Sequence, residues 1–375
     1  MLCGVNIAWV DIAKSIQAAL EFFEKLLIKA LPRGIMYYVK SIVKNTSFKT
    51  LSKGGSIMSK AAKIWIIAGV SLLILGGIIF GGIMTMLKWD FTKLSSINME
   101  KNNYEITEQF KNIKLYTKTA KVEFIPSEDE KIKVICYEQK KVKHSVTVLD
   151  NTLTIEAVDS RKWYEYIGIF FGSPKITVYL PKGEYGEFSI KNETGDAKIP
   201  ADYTFESLEI SQSTGNLEIS ASVTNGVKIK TSTGDISLKN ATVGGLDLAV
   251  STGHVSAENI ICSGDVSVKG STGKIRFNNL KCKNFTSVSS TGDLCLNKVI
   301  VENKLSSSLS TGDVELNESD AFELYIKTST GNVTGNLLSD KVYIAKSSTG
   351  NIEVPNSITG GRCEITTSTG NIKFI

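Results

Sequence analysis

The chain has 375 residues, 42% apolar and 22% charged, a mixture that excludes a collagen-like, coiled-coil or wholly disordered protein. Its 31 glycines against 6 prolines point to special backbone positions rather than a Pro/Gly-rich tail. The net charge of +5 is local: residues 1–63 hold ten Lys/Arg and three acids, a balance of +7, while residues 88–375 hold 33 Lys/Arg and 35 acids, a balance of −2, so the body lacks the basic footprint of a nucleic-acid binder.

Residues 1–57 form an N-terminal extension. Residues 9–31 carry a helical apolar stripe suited to a membrane surface. Against their being translated, Lys53-Gly54-Gly55-Ser56-Ile57 directly precedes Met58, and Lys-Gly-Gly is what a purine-rich ribosome-binding sequence encodes. The expected start is therefore Met58, with Met1 as the alternative; from Met58 the chain has 318 residues and, with eight basic and three acidic residues removed, no net charge.

Residues 58–63 read as a short basic cytoplasmic segment. Residues 64–87 (IWIIAGVSLLILGGIIFGGIMTML) are 24 positions without a charge, bounded by Lys60, Lys63 and Lys88. At about 1.5 Å per residue a helix here crosses a hydrocarbon core of about 30 Å. The run is too long for the apolar part of a secretory signal and lacks a small-residue cleavage site. The basic excess before it places the N-terminus in the cytoplasm and everything after Lys88 outside the cell membrane. Trp65 and Trp89 sit at the two interfaces, and Gly77 with Gly81 makes a GxxxG suited to helix pairing. Residues 88–109 are expected to be a linker.

From residue 195 the chain is dominated by a repeat. Thr-Gly recurs at Gly195, Gly215, Gly234, Gly253, Gly273, Gly292, Gly312, Gly331, Gly350 and Gly370, always 19 or 20 residues apart. All but the first are Ser-Thr-Gly, and Asp or Asn follows except at His254 and Lys274. Two residues after each Gly the side chain is apolar in every copy, four after it is apolar except at Gly335, and the position between is mostly polar, which is the alternation of a half-buried strand. Seven and five residues before each Gly a second alternating strand enters the turn, interrupted only by Ser287 and Ser307. Two short strands per copy cannot bury their apolar faces alone, so they must stack. The fold class predicted is all-β: a right-handed β-solenoid of about ten to twelve coils with a rise of about 4.8 Å each, preceded by one transmembrane helix. Gly supplies a positive φ, and the Asp/Asn after it is expected to bond backbone groups of its own turn.

Residues 110–194 read as degenerate coils. Thr119-Ala120-Lys121-Val122-Glu123-Phe124 keeps the phase with Ala120 in the Gly position, and Val146 to Ile155 around Asp150-Asn151 reads as another coil. An insertion carrying Trp163, Tyr164, Tyr166, Phe170 and Phe171 is expected to cap the first coils, with an exposed aromatic platform as the alternative.

The order of basic N-terminus, single span, YEITEQF at 104–110, ITVYLP at 176–181 and serial STG(D/N) turns resembles the DUF4097, or "putative adhesin", β-strand-repeat membrane proteins of low-GC Gram-positive bacteria. The resemblance covers residues 58–375. It implies a solenoid outside the cell and, for some relatives, a place in cell-envelope stress operons.

Little in the residues points to chemistry. His144 and His254 are the only histidines, scant material for a His-based metal site or a Ser/His triad. Asp196, Asp235, Asp293 and Asp313 after the turn glycines suggest calcium, but Asn holds the same place in Asn216, Asn332, Asn351 and Asn371, so a turn role is expected. No catalytic, cofactor-binding or metal residue, and no cofactor, is assigned. Of six cysteines, Cys262 and Cys282 fall nine residues after a turn Gly, within disulfide reach in adjacent coils, with free thiols the preferred reading; Cys295 is at an outward phase. The chain stops inside a repeat, so the C-terminal coil is expected to present an open edge. The function expected is a non-catalytic, membrane-anchored, cell-surface module that contacts an envelope polymer or surface protein. The alternative is an accessory sensor of envelope stress acting with membrane partners. Self-association through the C-terminal coil edge or through Gly77/Gly81 is a further expectation.

Overall fold

The computed structural model of the protein describes residues 60–90, 99–163 and 172–375. It divides into two units, Met1–Leu94 and Ser95–Ile375. Residues 1–57, the expected extension, and most of the aromatic insertion lie outside the described residues; of the insertion only Trp163 is described, and it is exposed.

In the first unit, α1 (Lys60–Met86) is 27 residues long, about 40 Å of helix. Its backbone covers all but the last residue of the uncharged stretch 64–87. Several side chains near its start, Ile64, Ile66, Ile67 and Val70 among them, are not described, and among the described residues no helix is long and apolar enough to cross a membrane.

The second unit is a β-solenoid. A typical level runs through β14 (Leu246–Thr252), turns at Gly253, and continues through β15 (Val255–Cys262). Leu246, Leu248, Val250, Val255, Ala257, Ile260 and Cys262 alternate inward and are all buried. Removing each larger aliphatic side chain from water stabilises the fold by about 1.5–3 kcal/mol, so every level contributes its own slice of core. The next level, β16 (Asp265–Thr272) and β17 (Ile275–Cys282), lies parallel and in register, with Leu246 on Val266 and Val255 on Ile275. A second corner follows Glu258, where Asn259 takes a φ of 54°. Asn240 and Asn279 repeat it in the adjoining levels, and the amides stack: Asn259 Nδ2 donates to Asn240 Oδ1 at 2.8 Å and Asn279 Nδ2 to Asn259 Oδ1 at 2.9 Å.

Gly292 illustrates the first corner. Its φ is 131°, and a Cβ there would overlap the carbonyl of Gly273 in the level below. Gly335, the one break in the apolar pattern, has a different cause: a Cβ would lie 3.0 Å from Phe374 Cε1 and 2.5 Å from the Leu316 carbonyl, so its absence makes room for the Phe374 ring.

Strand pairing departs from chain order at both ends. At the start, β2 (Asn112–Thr119) and β3 (Lys121–Pro126) form a level in the expected phase, Thr119 beside Thr194 and Val122 beside Ala197. Below it lies the level made by β6 (Thr152–Asp159) and β7 (Lys175–Leu180), although these come later in the chain. At the other end, β20 (Val314–Thr330) and β21 (Val333–Leu337) pair with β24 (Gly361–Thr369) and β25 (Ile372–Phe374). The outermost level is β22 (Lys341–Thr349) with β23 (Ile352–Glu353). At the start the chain begins one level in, steps out to the end level and returns past its own first level; at the other end it skips outward one level and returns to fill the gap. Counted along the stack, the ten Thr-Gly levels and the two degenerate ones make twelve, within the range expected.

Three expectations are corrected by these pairings. The C-terminal coil is not an edge, because β24 and β25 are paired on both sides; among the described residues the open edge belongs to β22 and β23. Val146 to Ile155 is not a coil. Asp150 and Asn151, at φ 47° and 59°, make a two-residue turn that pairs β5 (Val142–Leu149) antiparallel with β6. The expected linker 88–109 contains β1 (Met99–Ile106), which pairs antiparallel with β4 (Ile132–Gln139), itself antiparallel to β7. Strands β1, β4 and β5 close the first end of the stack and are its described cap.

Candidate functional site

The residue after each turn Gly acts between levels rather than within its own turn. Asp235 N–H donates to Asn216 Oδ1 at 2.9 Å, His254 N–H to Asp235 Oδ1 at 2.7 Å, and Lys274 N–H to His254 Nδ1 at 3.0 Å. Asp313 and Asn332 continue the ladder, as do Asn371 and Asn351 in the interchanged order of the last levels. His254 fits because an unprotonated ring nitrogen accepts as an amide or carboxylate oxygen does. Lys274 has no acceptor; its Nζ lies 3.6 Å from Asp293 Oδ2 instead.

The other histidine is in the cap. Cys136 and Glu138, two apart on β4, face inward, and His144 reaches them from β5; all three are buried. Glu138 Oε2 accepts from His144 Nδ1 at 2.6 Å and from the His144 backbone N–H at 2.7 Å, while Oε1 accepts from Asn102 Nδ2 at 2.6 Å. His144 Nε2 lies 3.0 Å from Thr117 Oγ1. Hydroxyl, imidazole and carboxylate thus follow one another as in a hydrolase triad. Thr117 and His144 are only 6% and 4% exposed, and the cavity beside them measures about 10 Å³, the space of one water, which leaves no room for a scissile carbonyl. Cys136 Sγ, Glu138 and His144 place their ligand atoms within 4.8 Å of one another and are the residues that would hold a metal, if any did. Burial first, then the Glu138 carboxylate, pushes the Cys136 thiol up to about 12. What the cluster does in the described state is bolt the β4–β5 hairpin across the end of the stack. Sequence reasoning missed it because its members come from β1, β2, β4 and β5; the one local signal is the polar Glu138 at an inward phase beside Cys136.

The remaining cysteines sit where the phase puts them. Cys262 and Cys282 stack in adjacent levels, both buried and both free thiols, and burial pushes Cys282 up to about 12. Cys295, half-buried, is the one described cysteine that is not buried; it is flanked by Lys274 and by Glu315, 3.7 Å from its sulfur.

The outer faces differ in charge. On the face that enters the Thr-Gly corner, the positions four, two and one before Gly form three exposed rows. From the level of Gly215 to the end of the stack these rows hold Ser, Thr, Ala, Val and four lysines, Lys230, Lys269, Lys327 and Lys346, and no Asp or Glu. None of the four makes an ion pair among the described residues. Within this strip lies a groove of about 380 Å³ lined by Ser211, Gln212, Lys230, Thr231, Lys269 and Gly270 among others. It opens where the inward position three before Gly shrinks to Gly270 and the outward one to Ala249.

The profile of the family described as Toastrack DUF4097 matches residues 110–265 and 262–375. The chain belongs to that family. This Toastrack protein is similar in structure to a "putative adhesin" of Parabacteroides distasonis, at 10% identity and TM-score 0.43 over 75% of this chain and 98% of that one. It is also similar to a "putative adhesin" of Parabacteroides merdae, at 13% identity and TM-score 0.41 over 74% and 96%. A third, a "putative adhesin" of Bacteroides fragilis, gives 16% and 0.38 over 74% and 97%. No curated protein matches the chain.

Proposed function

We propose that this Toastrack protein is a non-catalytic binding or structural module of the cell envelope, anchored in the cell membrane by one span at residues 64–87, with the N-terminus cytoplasmic and a right-handed solenoid outside. The observation that carries the reading is the outer surface of the stack: rows of exposed polar side chains held at a fixed spacing by a core that every level shares. Such a surface suits a long partner such as an envelope polymer, because each level offers the same contact again. The anchor rests on the uncharged stretch and on the Lys/Arg excess before it.

The experiment is retention of isolated cell-envelope polymer or of a surface protein by the full chain in detergent. Specific, saturable retention without turnover is expected; hydrolysis of the polymer, or no retention of any envelope fraction, refutes the reading. A second reading, an accessory sensor acting with membrane partners, is favoured by the open edge of β22 and β23 and by Gly77/Gly81 in the span, two places where another chain would pair. It predicts that deletion alters envelope-stress gene expression even where binding is intact. Translation from Met58 is part of the same proposal, and a native peptide covering Glu21 to Lys25 would overturn it.

A further inference from the structure

We infer that the Cys136, Glu138 and His144 cluster in the cap is a structural zinc site, with Cys136 Sγ, Glu138 Oε2 and His144 Nδ1 as its protein ligands. The inference stands apart from the binding-module reading. Cys136 and Glu138 are two apart on β4 and so share a face, and His144 reaches the same spot from β5. All three are buried, and their ligand atoms lie within 4.8 Å of one another. Sulfur, carboxylate oxygen and imidazole nitrogen in one set suit zinc, whereas magnesium and calcium take oxygen.

Three features favour an ion over hydrogen bonds alone. The first is charge. Glu138 is 1% exposed and its ion-pair partner is the His144 ring; a thiolate and a carboxylate together carry two negative charges, so a divalent cation leaves the buried site neutral. The second is the surrounding shell. His144 Nε2 lies 3.0 Å from Thr117 Oγ1, and Glu138 accepts from Asn102 Nδ2 and from the His144 backbone N–H, so the ring and the carboxylate are held by the kind of outer partners that orient zinc ligands. The third is distance. At zinc bond lengths of about 2.0–2.3 Å, tetrahedral neighbours lie about 3.3–3.6 Å apart. The 2.6 Å between Nδ1 and Oε2 therefore opens by about 0.7 Å, and separations of up to 4.8 Å close by about 1.5 Å at most. On binding, the Cys136 thiol proton leaves to solvent and the ring's proton sits on Nε2, where it donates to Thr117 Oγ1. The ion clips β4 to β5 across the end of the stack. The adjoining cavity of about 10 Å³ admits no substrate, and the ion enters as the cap folds.

The test expresses the full chain in metal-depleted medium with zinc, with cobalt or with neither, and purifies it in detergent. About one zinc or cobalt per chain is expected. The cobalt form should show a thiolate-to-cobalt charge-transfer band, and the zinc form should melt at least about 5 °C above the metal-free form. Cys136→Ala, a small apolar replacement in the core, should fold, lose the band and hold at least about tenfold less metal. Thr117→Val keeps all three ligands and should retain the band while weakening cobalt affinity about tenfold. Cys262→Ala with Cys282→Ala, and separately Cys295→Ser, should bind as the wild type does. A wild-type chain without bound metal, a band that survives Cys136→Ala, or a band lost from either control variant overturns the inference.

Discussion

Replacing Gly292 by Ala tests the stacking of the corners. At φ 131° an L-residue is strained by about 1–3 kcal/mol. The added Cβ also overlaps the Gly273 carbonyl, a backbone atom that moves only if the two levels part. Parting them weakens the two bonds that join these levels at the corner, Gly273 N–H to the Thr291 carbonyl at 3.0 Å and Ile275 N–H to the Asp293 carbonyl at 2.9 Å. At about 1 kcal/mol per bond the total comes to about 3–5 kcal/mol. Gly226→Ala is the control. Gly226 has no positive φ, and its Cβ would lie 3.8 Å from the nearest atom, the Gly245 carbonyl oxygen, so the change should fall within about 0.5 kcal/mol of neutral. Circular-dichroism melting of both variants should show a fall on the order of 10 °C for Gly292→Ala and almost none for Gly226→Ala. Equal melting temperatures for the two variants would refute the corner stacking.

His144→Leu leaves Glu138 buried without its ring partner and should cost about 3–5 kcal/mol in denaturant unfolding; a loss under about 1 kcal/mol would contradict the cap network. His254→Leu removes the acceptor for the Lys274 N–H and should cost about 1 kcal/mol, whereas His254→Asn should be neutral, both read from the same curves. Burial pushes the Cys136, Cys282 and Cys363 thiols up to about 12, so the unfolded chain loses these protons first and stability, full at lower pH, should fall as pH rises from about 9 towards 12. Replacing Cys282 with Ala should flatten that alkaline slope, and a membrane-impermeant thiol reagent should modify Cys295 ahead of the other described cysteines. Ser307→Ala removes a buried hydroxyl without a partner and should raise the denaturation midpoint slightly; a lower midpoint would show that the hydroxyl is satisfied.

The regular part of the fold was legible because parallel stacking repeats one residue environment at each phase. Leu217, Ile236, Val255 and Ile275 are apolar two residues after Gly for the same reason that they are buried, and Ser287 and Ser307 stand out in sequence as they do in the core. The order of levels was not legible. Near-identical strands offer equivalent pairing to any neighbour, so nothing in residues 341–353 says that they lie beyond residues 361–375. What distinguishes the two is side-chain fit, such as Phe374 over Gly335, which appears only in three dimensions. The second corner has a weaker signal: Asn240, Asn259 and Asn279 recur six residues after Gly, and Asn is among the few residues that tolerate a positive φ. The lysine strip was hidden for another reason. Its lysines fall only at some levels and look like solvated surface until the rows four, two and one before Gly are read along the stack.

The most direct measurement is envelope retention by the full chain compared across faces. One variant carries Lys230→Ser and Lys269→Ser; the other carries Glu218→Ser and Glu315→Ser at the outward phase three residues after Gly. The expected result is saturable retention by the wild type, with about tenfold loss in the variant of one face and none in that of the other. Equal loss in both variants, or no retention of any envelope fraction by the wild type, would contradict an outward-facing binding solenoid.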